Sequence, residues 1–246
     1  MPRIRLAEGD PDAPTLVCLP GAMCSPEVFA MTAQRSGLSA IALAWLEDDG
    51  PHDLEAIASR VTDAIRDLSS VILVGHSMGT PIAMLTALQS EQGAERHPSK
   101  IKGLVLSNSG ANTRGHGDIT ALLDRIRDDW DQPFWDAFMA RCFHTLPSSP
   151  LLEAVRHYPS RLRQQAVIDV LQSQRQIDFV PLLPQLADKR IAVVHGKHDQ
   201  ARTIDHAREL AEGIPGATLH VFDTGHTSCA EDPDRFAEVL GAMAAR

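Results

Sequence analysis

Val71-Ile-Leu-Val-Gly75-His76-Ser77-Met78-Gly79, with the apolar run Ile82–Leu88 behind it, is the stretch that decides how this chain folds. Four aliphatic residues read as a buried strand, Gly-x-Ser-x-Gly as a sharp turn, and the following run as a helix. A turn that tight brings backbone against its neighbours, so Gly75 and Gly79 stand where a side chain would clash. Ser77 is thereby lifted above the sheet, its hydroxyl at the start of a helix.

The same alternation continues on both sides. Thr15–Leu19, Ala40–Ala44, Gly103–Leu106, Ile191–His195 and Thr218–Phe222 are further strand candidates, mostly continuous apolar runs, as expected where helices cover both faces of a parallel sheet. Between them lie amphipathic segments: Leu54, Ile57, Ala58, Val61, Ile65 and Leu68 share a helical face after Asp53, and further helices begin at Thr203 and at Asp232-Pro233. The class is therefore α/β. The rhythm breaks once, from 112 to 188, where no strand pattern occurs but helical stripes do: Ile119, Leu122, Leu123, Ile126 and Trp130, then Phe134, Trp135, Phe138, Met139 and Cys142. A structureless loop of that length is implausible, so residues 112–188 read as a helical insertion into a core domain of residues 1–111 and 189–246.

Composition bounds the function. The 32 acidic residues outnumber the 23 basic ones, with no run of like charges, which argues against a nucleic-acid partner. No stretch approaches the roughly 18 apolar residues of a membrane span, and Met1–Asp12, mixed and charged, is not an export signal. Cys18, Cys24, Cys142 and Cys229 show no paired spacing, so free thiols and a cytoplasmic location are expected. Neither zinc-ligand spacings nor phosphate or dinucleotide fingerprints occur, so no metal and no cofactor is expected.

A serine hydroxyl needs a base to become nucleophilic. Ile191-Ala-Val-Val-His195-Gly196-Lys197-His198-Asp199 is a strand, a glycine turn and an acid; Val221-Phe-Asp-Thr-Gly225-His226 is a strand, a glycine turn and a histidine. Both groups fall past the carboxyl ends of strands, on the rim where Ser77 emerges. His226 is expected to take the proton of Ser77 while Asp199 orients the imidazole. Among rival acids, Asp205 and Asp232 read as helix-start residues and Asp223 as a loop acceptor. Of the other histidines, His76 reads as a packed or hydrogen-bonded neighbour of Ser77, His195 as a core residue, and His198 as pointing away from the acid. His97, His116, His144, His157, His206 and His220 read as loop or surface residues. Leu19-Pro20-Gly21-Ala22-Met23 leaves another strand in a loop of small residues, whose Ala22 N–H, with that of Met78, would face a developing oxyanion.

These segments together resemble the α/β-hydrolase superfamily: Leu19-Pro-Gly-Ala22, Gly75-His-Ser-Met-Gly79, Gly196-Lys-His-Asp199, and Gly225-His226 followed by Glu231-Asp-Pro233. The resemblance implies an eight-stranded, mostly parallel sheet with a helical cap inserted at 112–188. It departs at Pro20-Gly21, where many relatives have His-Gly, at Thr80-Pro81, where many have a glycine, and at Trp45-Leu-Glu-Asp-Asp-Gly50, which alters the near wall of the pocket. The expected activity is hydrolysis of a small, partly apolar carboxylic ester or lactone through an acyl-serine. Cleavage of a carbon–carbon bond in an enol or diketone, or a triad-bearing ligand receptor, are the alternatives. Met23, Asn108, Asn112, Arg114 and Trp135 are the expected substrate contacts. A homo-oligomer is compatible with the sequence but nothing in it asks for one.

Overall fold

The computed structural model describes residues 1–91 and 100–245. Within these residues seven strands form one sheet: β1 (Arg3–Ala7), β2 (Thr15–Leu19), β3 (Ala40–Leu43), β4 (Val71–His76), β5 (Ile101–Ser107), β6 (Arg190–Gly196) and β7 (Thr218–Phe222), in the order β1-β3-β2-β4-β5-β6-β7. β1 runs antiparallel to β3 and every other neighbouring pair is parallel. Among the described residues, ten α-helices surround it: α1 (Ala30–Ser36), α2 (Leu54–Ala64), α3 (Gly79–Glu91), α4 (Ile119–Asp128), α5 (Gln132–Cys142), α6 (Leu151–His157), α7 (Gln164–Gln174), α8 (Ile204–Gly213), α9 (Ser228–Glu231) and α10 (Pro233–Ala244).

One expectation is corrected. The described sheet has seven strands rather than eight: β1, antiparallel to β3, is its edge, and no described strand pairs with the outer side of β1. The charged N-terminus supplies a strand that was not among the candidates. Arg3-Ile-Arg-Leu alternates in the strand period, its arginines exposed and Ile4 and Leu6 half-buried, as an edge strand requires.

The inner strands bury both faces. Val17, Leu19, Val71 and Leu73 belong to one apolar cluster with α2 and α3; their neighbours Leu16, Cys18, Ile72 and Val74 belong to the other, with α1 and α10. Helix α3, behind Ser77, is apolar on every side and nearly all buried, which explains why its sequence showed no polar stripe. Its start is pressed onto β2: a Cβ at Gly79 would lie 1.9 Å from the Leu19 carbonyl oxygen. Gly79→Ala should accordingly destabilise the protein by at least about 3 kcal/mol, the upper end of overpacking costs, since backbone rather than a flexible side chain must yield. Urea unfolding would read the loss.

Between β5 and β6 the described chain is helical, from α4 to α7. Its aromatic residues pack on one another: Trp135 stands edge-on to Trp130 at 5.6 Å, and Arg125 lies over Phe134. Polar bonds tie this segment to the rest. Leu54 N–H donates to Ser173 Oγ (2.9 Å), Arg161 pairs with Glu47 (2.8 Å), and Thr227 Oγ1 donates to the Cys142 carbonyl (2.9 Å).

Candidate active site

Parallel pairing aligns the carboxyl ends of the central strands. Leu19 lies beside Gly75, His76 beside Ser107, Ser107 beside Val194, and Gly196 beside Phe222. The loops that leave those ends carry Ala22, Ser77, Asn108, Asp199 and His226, so one rim collects them. Met23, Ser77 and Asn108 are the non-glycine residues with positive φ among those described (59°, 53° and 52°), and all three follow these strand ends. Such backbone is unfavourable for side-chain-bearing residues and persists where the surroundings over-determine it. At Ser77 they do. Its N–H donates to Ser107 C=O (2.9 Å), its carbonyl accepts from Thr80 N–H (3.1 Å), and Thr80 Oγ1 donates to Gly75 C=O (3.0 Å). Thr80, a departure from the family pattern, thus braces the turn from inside.

Ser77, His226 and Asp199 come together as expected. His226 Nδ1 lies 2.8 Å from Asp199 Oδ2, and His226 Nε2 lies 2.9 Å from Ser77 Oγ. The carboxylate can only accept, so Nδ1 carries the proton and Nε2 faces the hydroxyl as an acceptor. The Asp199 side chain is wholly buried. Burial alone would raise its carboxyl, but the facing His226, the Arg202 amide and the Asn108 amide outweigh it and hold Asp199 well below the usual carboxylate range. Its second oxygen, Oδ1, accepts from the Ala201 and Arg202 amides (2.8 and 2.9 Å).

The acid and histidine loops are locked to each other. Lys197 N–H donates to Phe222 C=O (2.8 Å) and His198 N–H to Thr224 C=O (2.9 Å). A Cβ at Gly196 would lie 1.9 Å from the Gly225 carbonyl oxygen, which only glycine permits. Glu231 clasps the other side: Oε1 accepts from Gly225 N–H, and Oε2 from the His144 and Thr145 amides of the helical segment. The glycine loop after β2 lies against Ser77, where a Cβ on Gly21 would be 3.0 Å from Ser77 Cβ. Buried Trp45 fixes it, its indole N–H donating to Pro20 C=O at 3.0 Å.

The expected substrate contacts fare differently. Met23 is buried beside the Gly21 turn. Asn108 does not offer its amide to a ligand: Nδ2 donates to Asp199 Oδ2 and to Gly225 C=O, both at 3.1 Å, and Oδ1 accepts from Ser107 Oγ. Its adjacency to the acid follows from the pairing of β5 with β6. Arg114 forms an exposed ion pair with Asp178 at 2.7 Å and faces Glu209 at 3.5 Å; Asn112 Nδ2 donates to Asp178 at 3.2 Å. Both side chains are therefore engaged with carboxylates of the helical segment and of α8. Trp135 packs on Trp130 within that segment.

Rival acids have other partners: Asp223 is exposed against His198 and Lys197, Asp205 pairs with Arg208, and Asp232 caps α10 by accepting from Arg235 N–H. Of the other histidines, His76 and His195 are buried as expected. His206 is not at the surface. It is buried and completes the cap of α8, with Nδ1 accepting from Thr203 N–H. His97 lies outside the described residues. Burial pushes the Cys24 thiol up to about 12, so it stays protonated.

A sequence profile described as the alpha/beta hydrolase family matches residues 16–239, which takes in every element of this rim. The chain belongs to that family. A 2-hydroxymuconate semialdehyde hydrolase of Pseudomonas putida is 26% identical over 182 residues, 68% of this chain and 60% of that relative, so the chain spans under two thirds of its length. Among solved structures, an esterase from Exiguobacterium antarcticum superposes with a TM-score of 0.83 at 21% identity, covering 98% of this chain and 93% of the other. An enol-lactonase from Burkholderia xenovorans LB400 gives 0.79 at 20% identity, with 98% and 95% covered. At these identities the structural likeness is one of fold.

Within this alpha/beta hydrolase the residues that sequence reasoning missed are those that hold others. Glu231 stood in the motif after His226, yet nothing in the sequence tied it to the Gly225 amide. Trp45 was visible only as a departure from the family pattern, and nothing in the sequence singled out Arg202. Its guanidinium is buried, with Nη1 donating to Asn112 C=O at 2.9 Å, and desolvation brings it down to about 10.

Proposed function

We propose that this alpha/beta hydrolase cleaves a small, partly apolar carboxylic ester or lactone through an acyl-serine. The observation that carries the reading is the continuous contact from Ser77 Oγ through His226 to buried Asp199. Ser77 Oγ attacks the carbonyl carbon as His226 Nε2 removes its proton. The resulting imidazolium is steadied by Asp199 and returns the proton to the leaving alcohol oxygen. Water then attacks the acyl carbon with the same histidine as base, and Ser77 regains its proton. The backbone amides of Ala22 and Met78 are the proposed oxyanion donors; removing such a donor typically raises the barrier by about 3 kcal/mol. Helices α4 to α7 are proposed to act as a cap over Ser77, and Met23, behind the Gly21 turn, to border the acyl group.

Carbon–carbon bond hydrolysis of an enol or diketone is the second reading, favoured by the similarity to the 2-hydroxymuconate semialdehyde hydrolase of Pseudomonas putida. The two are separated by assaying p-nitrophenyl butyrate, an enol-lactone and a vinylogous diketone, alongside labelling of Ser77 with a p-nitrophenyl phosphonate. Turnover of the ester or lactone with stoichiometric labelling supports the first reading. Labelling with turnover of the diketone alone supports the second, and labelling without any turnover overturns both.

A further inference from the structure

We propose that His76 is a positioning residue that fixes the loop bearing His226 relative to the Gly21 loop, and that it does so as a neutral hydrogen-bond donor. The inference rests on the serine-hydrolase reading of this site. His76 ends β4 immediately before Ser77, and its side chain is buried. Its Nε2–H donates to the main-chain carbonyl of His226 at 2.9 Å, across 150 residues of sequence. The two rings are 5.1 Å apart and tilted by 60°. On the opposite edge, a Cβ on Gly21 would lie 3.1 Å from His76 Nδ1 and 3.3 Å from Cε1. The ring therefore fills the gap between the turn that would present the oxyanion donor and the backbone that carries the base.

The chemistry of that gap selects the protonation state. A carbonyl oxygen only accepts, so Nε2 holds the proton, and Nδ1 is left buried and, among the described residues, without a partner. A second proton there would find no acceptor and would face the positive charge that His226 takes on when it receives the proton of Ser77. Burial, with the neighbouring His226, brings His76 down to about 3, so the ring is neutral at any working pH. The alignment of Nε2 of His226 on Ser77 depends on its side-chain bond to Asp199 and, through the main chain, on this bond beside those of Gly225 to Glu231 and Asn108. Packing alone would suit a leucine or phenylalanine; the bond to the His226 carbonyl would not. A glutamine amide nitrogen reaches about as far along the side chain as Nε2, whereas an asparagine amide does not.

The test compares His76→Gln, His76→Asn and His76→Leu for kcat and KM on p-nitrophenyl butyrate and for the rate of phosphonate labelling at Ser77. Loss of the bond is expected to lower kcat and the labelling rate about 10- to 100-fold in the Asn and Leu variants, with KM within about threefold, as small misplacements of reacting groups do. The Gln variant should recover both to within about fivefold of the unsubstituted protein. Equal rates in Gln and Leu variants, or an Asn variant at full rate, would overturn the inference, and should Leu fail to fold, the Gln–Asn pair decides alone. If the unsubstituted protein labels but does not hydrolyse the ester, the ester reading fails while the labelling rates still judge His76.

Discussion

Replacing Ser77 by alanine is expected to lower kcat for p-nitrophenyl butyrate by about 10⁴-fold or more while the protein keeps its fold. The substitution removes one oxygen, the one 2.9 Å from His226 Nε2. It leaves the bonds that hold the turn, since Ser77 N–H to Ser107 and Thr80 N–H to Ser77 C=O are both main-chain. Alanine at φ 53° is no more strained than serine, because each carries one Cβ. Circular dichroism and the unfolding midpoint should therefore stay close to those of the unsubstituted chain while turnover collapses. The effects of the rim residues should not add: with Ser77 gone, also removing His226 should cost little more, because the two act on one proton. A Ser77→Ala protein that keeps a tenth of its activity would mean that another group attacks the carbonyl. The half-buried thiol of Cys24, held protonated, is a poor candidate for that role.

What could be read in advance and what could not divide along a physical line. Period and punctuation act locally, so six of the seven strands, the helical stretch between β5 and β6, and the turn at Ser77 were visible as runs of residue types. The exception, β1, is an edge strand whose half-buried face is only Ile4 and Leu6, and two apolar residues among arginines make a faint alternation. The meeting of Ser77, Asp199 and His226 was legible because each follows a strand end with a glycine turn, and parallel pairing aligns such ends. Residues whose work is a contact across the sheet were not legible. Asn108 was expected to face a ligand because it sits at a loop start; its placement beside Asp199 depends on the register of β5 with β6, which no local pattern states. Arg114 and Asn112 show the same limit, since their partners Asp178 and Glu209 lie far away in sequence.

Asp199→Asn should reduce kcat by about 10⁴-fold with the fold intact, for a reason that turns on one hydrogen. In the native site Oδ1 accepts from the Ala201 and Arg202 amides, and Oδ2 accepts from His226 Nδ1 and Asn108 Nδ2. Asparagine can keep its oxygen toward the two amides, which places its NH₂ where Oδ2 stood. Donor then meets donor at both remaining contacts. His226 relieves its share by moving its proton to Nε2, which turns toward Ser77 a nitrogen that can no longer accept. The hydroxyl loses its base although every heavy atom is nearly in place. Stability should report the same group. Because Asp199 is held below the ordinary carboxylate range, its ionised form stabilises the folded protein above about pH 4, the unfolded value. That contribution disappears as pH falls through the lower folded value. The gap in unfolding midpoint between the native protein and Asp199→Asn should accordingly be full at neutral pH and narrow below about pH 4. A gap that stays constant into acid, or a variant with near-native turnover, would show that the Asp199 carboxylate neither holds His226 in its working tautomer nor carries charge in the folded site.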